Sequence, residues 1–205
     1  MIGPLLRQKA RGLGGENPAP PSEIEFVAYA ADCRLTGTVR LREARLSDML
    51  NRHAEFVLSN VTATSLVGAS LVQLPEITLW RDDLYAVHLA GPRGDRDKKR
   101  ATVPVPLGIK LGPYLVRGQI HAQPGADPIE TFRRSRQPMV PLTEAWIEFD
   151  DGGDEATRLN VPALAVNRLL CDWVVRSPDE EAPVNPAPIG HTPPEAATRG
   201  GSPPG

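Results

Sequence analysis

The chain is poor in the residue types that carry most recognisable chemistry. Of its 205 residues only two are cysteines and four are histidines. Cys33 and Cys171 form no CxxC pair and lie in apolar segments, which points to two buried thiols rather than a disulfide framework. His53, His88, His121 and His191 nowhere stand at metal-ligand spacing, so neither a metal site nor a cofactor is expected. Aromatic residues make up 5% of the chain, too few for an extended base-stacking platform. A net charge of -2 supplies no broad field for phosphates, so nucleic acid would need a local basic patch. No run approaches the roughly 18 apolar residues of a membrane helix. The opening "MIGPLLRQKARGLGG" has only a two-leucine patch where an export signal needs a longer one, and the expected location is cytoplasmic, with no membrane contact.

Proline and glycine, by contrast, are abundant at 22 and 18 residues, too many for a helical bundle. They concentrate at the ends. Residues 1–22 and the acidic, Pro/Gly-rich residues 177–205 contain few large apolar side chains, and both are expected to be disordered tails because they bury too little to offset the entropy of ordering. Around "GPRGDRDKKRATVP" the apolar pattern stops, which predicts a charged linker over residues 93–102 between folded units at 23–92 and 103–176.

The two units share a pattern. Aligning Gly37 with Gly118 sets Leu35, Val39 and Leu41 beside Val116, Ile120 and Ala122. With three more residues in the second copy's loop, Leu58 and Val61 fall beside Leu142 and Ala145, and after two more "LWRDDLYAV" matches "AVNRLLCDW". Alternation in "RLTGTVRL" and "YLVRGQIHA" predicts half-buried strands, with a bend or bulge at each glycine. A short helix follows each. "RLSDMLNRH" turns Leu46, Met49 and Leu50 onto one face behind Ser47 as expected N-cap, and "DPIETFRRS" has Asp127 as N-cap with Pro128 at the first helical position. Three strands complete each unit, and Trp80, Trp146 and Trp173 on them are expected to pack in the core.

The run Gly37-Thr-Val-Arg-Leu, then Asp48-Met-Leu-Asn51, then Phe56-Val-Leu-Ser-Asn60-Val61 resembles the first signature of Sm-like (LSm and Hfq class) barrels, and "ITLWRDDLYAV" looks distantly like their second. The doubled arrangement is also similar to bacterial proteins with tandem copies of a small "G-x-[VI]... SD-x-LN... F-x-x-L" domain. The resemblance spans most of residues 23–176. It implies a mainly β fold of two tandem small SH3/Sm-like β-barrels, each with one short helix, and it maps Asp48, Asn51 and Arg81 onto nucleotide-contacting loop positions. The sequence departs from that pattern where Arg81 is followed by Asp82 rather than Gly, where the first loop expands into a helix, and where Glu130 and Arg133 replace Asp48 and Asn51.

No catalytic constellation emerges. Ser47 and Asp48 near His53 lack the strand-to-helix elbow of a nucleophilic serine. Asp82-Asp83 suits a turn, and the acidic run at 150–155 holds only a fragment of a calcium loop. The basic cluster Arg133, Arg134 and Arg136 suits a helix C-terminus and, together with Asp48, Asn51 and Arg81, forms the candidate partner or anion contact. The expectation is therefore a non-enzymatic binding or scaffold module that engages a protein partner or itself, the alternative being an RNA or nucleotide binding protein of Sm-like type.

Overall fold

A computed structural model describes residues 22–66, 70–91, 101–150 and 156–177. All but Ser22 and Ser177 of the expected tails, most of the 93–102 linker, His191 and most of the 150–155 acidic run lie outside the described residues. The chain is mainly β. Its strands are β1 (Glu23–Tyr29), β2 (Cys33–Arg40), β3 (Glu55–Ser65), β4 (Leu71–Trp80), β5 (Ala86–His88), β6 (Val103–Leu111), β7 (Tyr114–Ala122), β8 (Met139–Phe149), β9 (Thr157–Asn167) and β10 (Trp173–Arg176). Helix α1 (Leu46–Arg52) falls between β2 and β3, and α2 (Pro128–Arg133) between β7 and β8.

The ten strands of the described residues form one antiparallel sheet in the order β10-β6-β7-β8-β9-β5-β1-β2-β3-β4. The first five strands in sequence take the order β5-β1-β2-β3-β4 and the second five β10-β6-β7-β8-β9, so both runs have the same internal arrangement. They meet where β5 pairs with β9, Ala86 opposite Val166, Val87 opposite Ala165 and His88 opposite Leu164. Backbone bonds extend that joint at both ends, Asn167 N–H donating to Tyr85 O at 2.8 Å and Leu89 N–H to Ala163 O at 2.9 Å.

Alternating apolar residues explain the strands. Along β7 every second side chain from Tyr114 to Ala122 is buried while most of those between face outward. Both expected bends occur. Between Thr36 and Thr38 the β2·β3 ladder shifts so that Gly37 stands against Asn60 and Val61, and between Arg117 and Gln119 the β7·β8 ladder places Gly118 against Glu144 and Ala145. Asn60 and Glu144 take positive φ values of 53° and 48°, the conformations of a bulged residue. Pro75 falls opposite Asn60 and Pro162 opposite Glu144, so prolines that lack an N–H sit where each ladder is already interrupted.

Smaller features also correspond between the runs. Tyr85 N–H donates to Tyr29 O at 2.8 Å and Asp172 N–H to Lys110 O at 2.9 Å; Arg81 N–H donates to Ala54 O at 2.8 Å and Arg168 N–H to Pro138 O at 2.9 Å. Each of these arginines opens a short 3-10 turn, Arg81–Asp83 and Arg168–Leu170. "DDLYAVHLA" and "RLLCDWVV" are therefore turn followed by short strand rather than strand throughout. The ladders set Leu79 opposite Phe56 and Val166 opposite Val140, one residue out of step with the match of "LWRDDLYAV" to "AVNRLLCDW".

Each run has its own core. Phe26, Leu35, Val39, Phe56, Leu58 and Leu84 lie in one, Leu107, Ile109, Val116, Phe132, Leu142 and Ile147 in the other. The cores interlock at the joint, since Tyr29 and Ala86 pack into the second and Met139 and Ala165 into the first. Leu46, Met49 and Leu50 of α1 are buried, as are Pro128 and Phe132 of α2. Asp127 caps α2 by accepting from Ile129 N–H, but α1 begins at Leu46 with Arg45 as N-cap, so Ser47 lies inside the helix. Among the described residues no helix is long and apolar enough to cross a membrane.

A methyl group at Gly37 would stand 2.7 Å from Ser59 O, and one at Gly118 would stand 2.9 Å from Ala145 Cβ. Backbone must move to admit either, at about 1–3 kcal/mol. Gly37→Ala and Gly118→Ala should each lower the unfolding free energy by that amount, read as a lower urea midpoint with little change in slope. Gly108→Ala, whose methyl meets only Val175 Cγ2 at 3.3 Å, should cost less.

Candidate functional site

The residues expected to contact a partner or anion do not converge on one place. Asp48 is paired with Arg45 on α1, its carboxylate accepting from Nε at 2.8 Å and from Nη2 at 3.1 Å. Arg81 is largely covered and paired with Asp82 at 2.7 Å. Asn51 has a structural role: its Nδ2 donates to Ser47 O at 2.9 Å and Met139 O at 3.0 Å, and its Oδ1 accepts Met139 N–H at 3.0 Å. The carboxamide acts as a strand neighbour to Met139 and ties α1 to β8 of the other run. Arg133, Arg134 and Arg136 are exposed at and beyond the end of α2, Arg134 pairing with Glu130 at 2.6 Å.

Cys33, Cys171 and His88 are quenched rather than activated. Burial, with Asp32 nearby, pushes the Cys33 thiol up to about 11. Burial and Asp172, partly offset by Arg133, do the same to Cys171, at about 11. A thiol so shifted is a poor nucleophile at neutral pH. Both cysteines are half-buried and unpaired, more open than the sequence suggests. His88 stacks on Tyr29 and hydrogen-bonds its hydroxyl at 2.9 Å. Its burial, and second the Arg34 guanidinium, lower it to about 4, so the ring is neutral at pH 7. His53 faces Glu43 at 3.3 Å and exposed His121 meets Thr143 at 2.9 Å. Among the described residues no three His, Cys, Asp or Glu side chains are grouped to hold a metal ion.

A cleft of about 260 Å³ lies over β2 and β3, bordered by Glu23, Arg40, Arg42, His53, Glu55 and Glu76. Its border mixes acidic and basic side chains. The feature that departs most from an ordinary protein surface lies at the two ends of the sheet. Of nine exposed large apolar side chains among the described residues, Leu71, Val72, Leu74 and Trp80 lie on β4, and Trp173 and Val175 on β10. Trp80 is 53% and Trp173 46% exposed, and Trp146 is half-buried between Arg117 and Arg158, with Arg158 4.2 Å from the ring centroid. The expected core packing of the three tryptophans therefore does not occur.

Position in the sheet accounts for the exposure of Trp80 and Trp173, on its two end strands. β9 and β4 occupy the same place in their runs, yet Leu164 to Asn167 are buried while the corresponding Ile77 to Trp80 are open or half-open. Only β9 has β5 beside it. Likewise Ala86 and Val87 of β5 are buried against β9, whereas Trp173 and Val175 of β10 are exposed. No sequence signal marks these residues, since alternation reports which face is apolar and not whether a strand has a neighbour.

Comparison with known proteins finds no matching family model, no matching curated protein and no matching solved structure. The chemistry of the sheet ends therefore carries the functional argument.

His88 lies in the joint that unites the runs, and its titration makes that joint acid-sensitive. With an ordinary value of 6.5 when unfolded and about 4 when folded, the unfolded chain binds the extra proton between those limits. This contribution to stability should be fully present above pH 6.5, decline as pH falls towards 4 and level off below. His88→Gln, which keeps a partner for Tyr29 but cannot become charged, should flatten this part of a urea-midpoint profile between pH 4 and 7.

Proposed function

We propose that the chain is a non-enzymatic binding or scaffold module built from two copies of one small Sm-like or SH3-like β-barrel unit, and that it engages a protein partner by strand addition at its free sheet edges. Duplication of one unit is supported by the shared strand order, the matched bulges at Gly37 and Gly118, and the corresponding turn bonds of Arg81 and Arg168. Two hydrophobic cores, each built mainly from one run and interlocked at the joint, fit two compact units.

The observation that carries the binding role is the contrast between β9 and β4. Leu164 to Asn167 of β9 are buried where β5 lies beside them, and the corresponding Ile77 to Trp80 of β4, with no strand on their outer side among the described residues, are open or half-open, with exposed Leu71, Val72 and Leu74 further along the same strand. Long apolar edges are liabilities unless something covers them. Pro75 does not prevent pairing on the outer side, because Pro162 occupies the corresponding place in β9, which is paired. Absence of catalysis is supported by the raised thiols and by a His88 held neutral against Tyr29. The RNA-binding alternative draws no support from Asn51, whose carboxamide is committed to Ser47 and Met139.

Thr78 corresponds to Ala165, whose N–H faces β5, so Thr78→Pro removes an outward donor from the middle of β4. Immobilised wild-type chain should retain a defined set of proteins from lysate that Thr78→Pro loses and Arg136→Ser keeps. An unchanged set on the β4 variant, or co-purifying nucleic acid released by salt, would contradict this reading.

A further inference from the structure

We infer that the occupant of the free edges is a second copy of this chain, with β10 of one copy pairing antiparallel to β4 of the next in the geometry of the internal β5·β9 joint. The inference rests on the proposed binding role of these edges and specifies their partner. Its basis is complementary. One fourth-position strand (β9) and one fifth-position strand (β5) are joined inside the chain, which among the described residues leaves the other fourth-position strand (β4) and the other fifth-position strand (β10) unjoined.

Carrying the internal register across sets the intermolecular pairs. Ala86 opposite Val166 becomes Trp173 opposite Leu79, and His88 opposite Leu164 becomes Val175 opposite Ile77. The two bonds that extend the joint become Trp80 N–H to Asp172 O, and Arg176 N–H to Glu76 O. The apolar side chains exposed on β10 thereby meet Leu79 and Ile77, the half-buried apolar residues of β4.

Charge complementarity supports this register over a slipped one. Arg176 comes directly opposite Glu76, an attractive cross-strand pair. A second pair arises away from the strands. Asn51 of α1 grips Met139, and the corresponding positions are Arg133 of α2 and Glu55 at the start of β3, both exposed. Arg133, part of the basic cluster that the fold leaves unexplained, thus faces an acid of the neighbouring copy.

In a single chain Arg176 pairs with Asp127 at 3.2 Å, an exposed contact that is easily exchanged. The intermolecular joint is weaker than the internal one. Lys110 and Asp172 stand where the internal joint has Tyr29 and Tyr85, so the edge-to-face packing of Tyr29 on Tyr114 has no equivalent there. Because each copy offers β10 to one neighbour and β4 to the other, association proceeds head to tail, closing into a ring or continuing as a filament.

Light-scattering mass measured across a concentration series tests this. The full chain should exceed its monomer mass of 22.2 kDa increasingly with concentration. Arg176→Glu or Glu76→Arg alone should weaken association about tenfold, through a lost attraction and a new like-charge contact, and the two together should restore it. Arg133→Glu with Glu55→Arg repeats the design on the second pair, so a folding defect in one variant leaves the other informative. A monomer at every concentration, or association indifferent to all four single reversals, would overturn the inference. A monomer that still captures proteins in a Thr78-dependent way would overturn it while leaving the edge-binding role intact.

Discussion

A three-residue strand pairing, β5 against β9, determines the form of the rest of the molecule. Without it the two five-strand runs would be separate sheets. With it they form one ten-stranded sheet whose free ends are unlike each other, a long β4 and a short β10. Three pairs are few, and the joint is reinforced from the side. Tyr114 donates to Ala30 O at 2.6 Å and packs edge-on to Tyr29 at 5.3 Å, while Asn51 grips Met139 from below. Asn167, wholly buried, accepts Leu169 N–H and gives its own N–H to Tyr85 O. Each buried polar group at the joint that is so bonded avoids a desolvation cost of about 1–3 kcal/mol.

The bends at Gly37 and Gly118 allow such short pairing to suffice. In each run an extra residue with positive φ, Asn60 or Glu144, curls the third strand over the second until the space above the glycine is filled by Leu58 or by Leu142 and Ala145. Curled sheets enclose cores that α1 and α2 plug. The joint therefore fastens units already packed internally, and its own geometry is free to recur at the outer edges.

Much of this was legible in the residues. The period-two pattern around each glycine identified β2 and β7, the spacing of Leu46, Met49 and Leu50 identified the buried face of α1, and Asp127-Pro128 marked the start of α2. Ser47 was misread because a hydroxyl near a helix start is a common cap, whereas here Arg45 pairs with Asp48 across the first turn. Trp146 is half-open because it alternates with buried Ala145 and Ile147 on β8, which has a neighbour on each side, but Trp80 and Trp173 were misread for a deeper reason. Burial of a strand residue depends on the neighbouring strand as well as on its own side chain, and adjacency across the joint is a long-range property that no local window contains. For the same reason Asn51 looked like a ligand contact, its true partner Met139 being distant in sequence, and the edges of β4 and β10 carried no mark at all.

The central claim is that joint and edges are the same surface in occupied and open form. Amide hydrogen exchange, read residue by residue at low and high protein concentration, tests it most directly. Leu89 and Asn167 N–H should be protected at both concentrations, and Arg176 and Trp80 N–H, their counterparts, only at the higher. Equal and fast exchange of Arg176 and Trp80 at both concentrations would contradict the account, as would a Leu89 amide that exchanges like a surface loop.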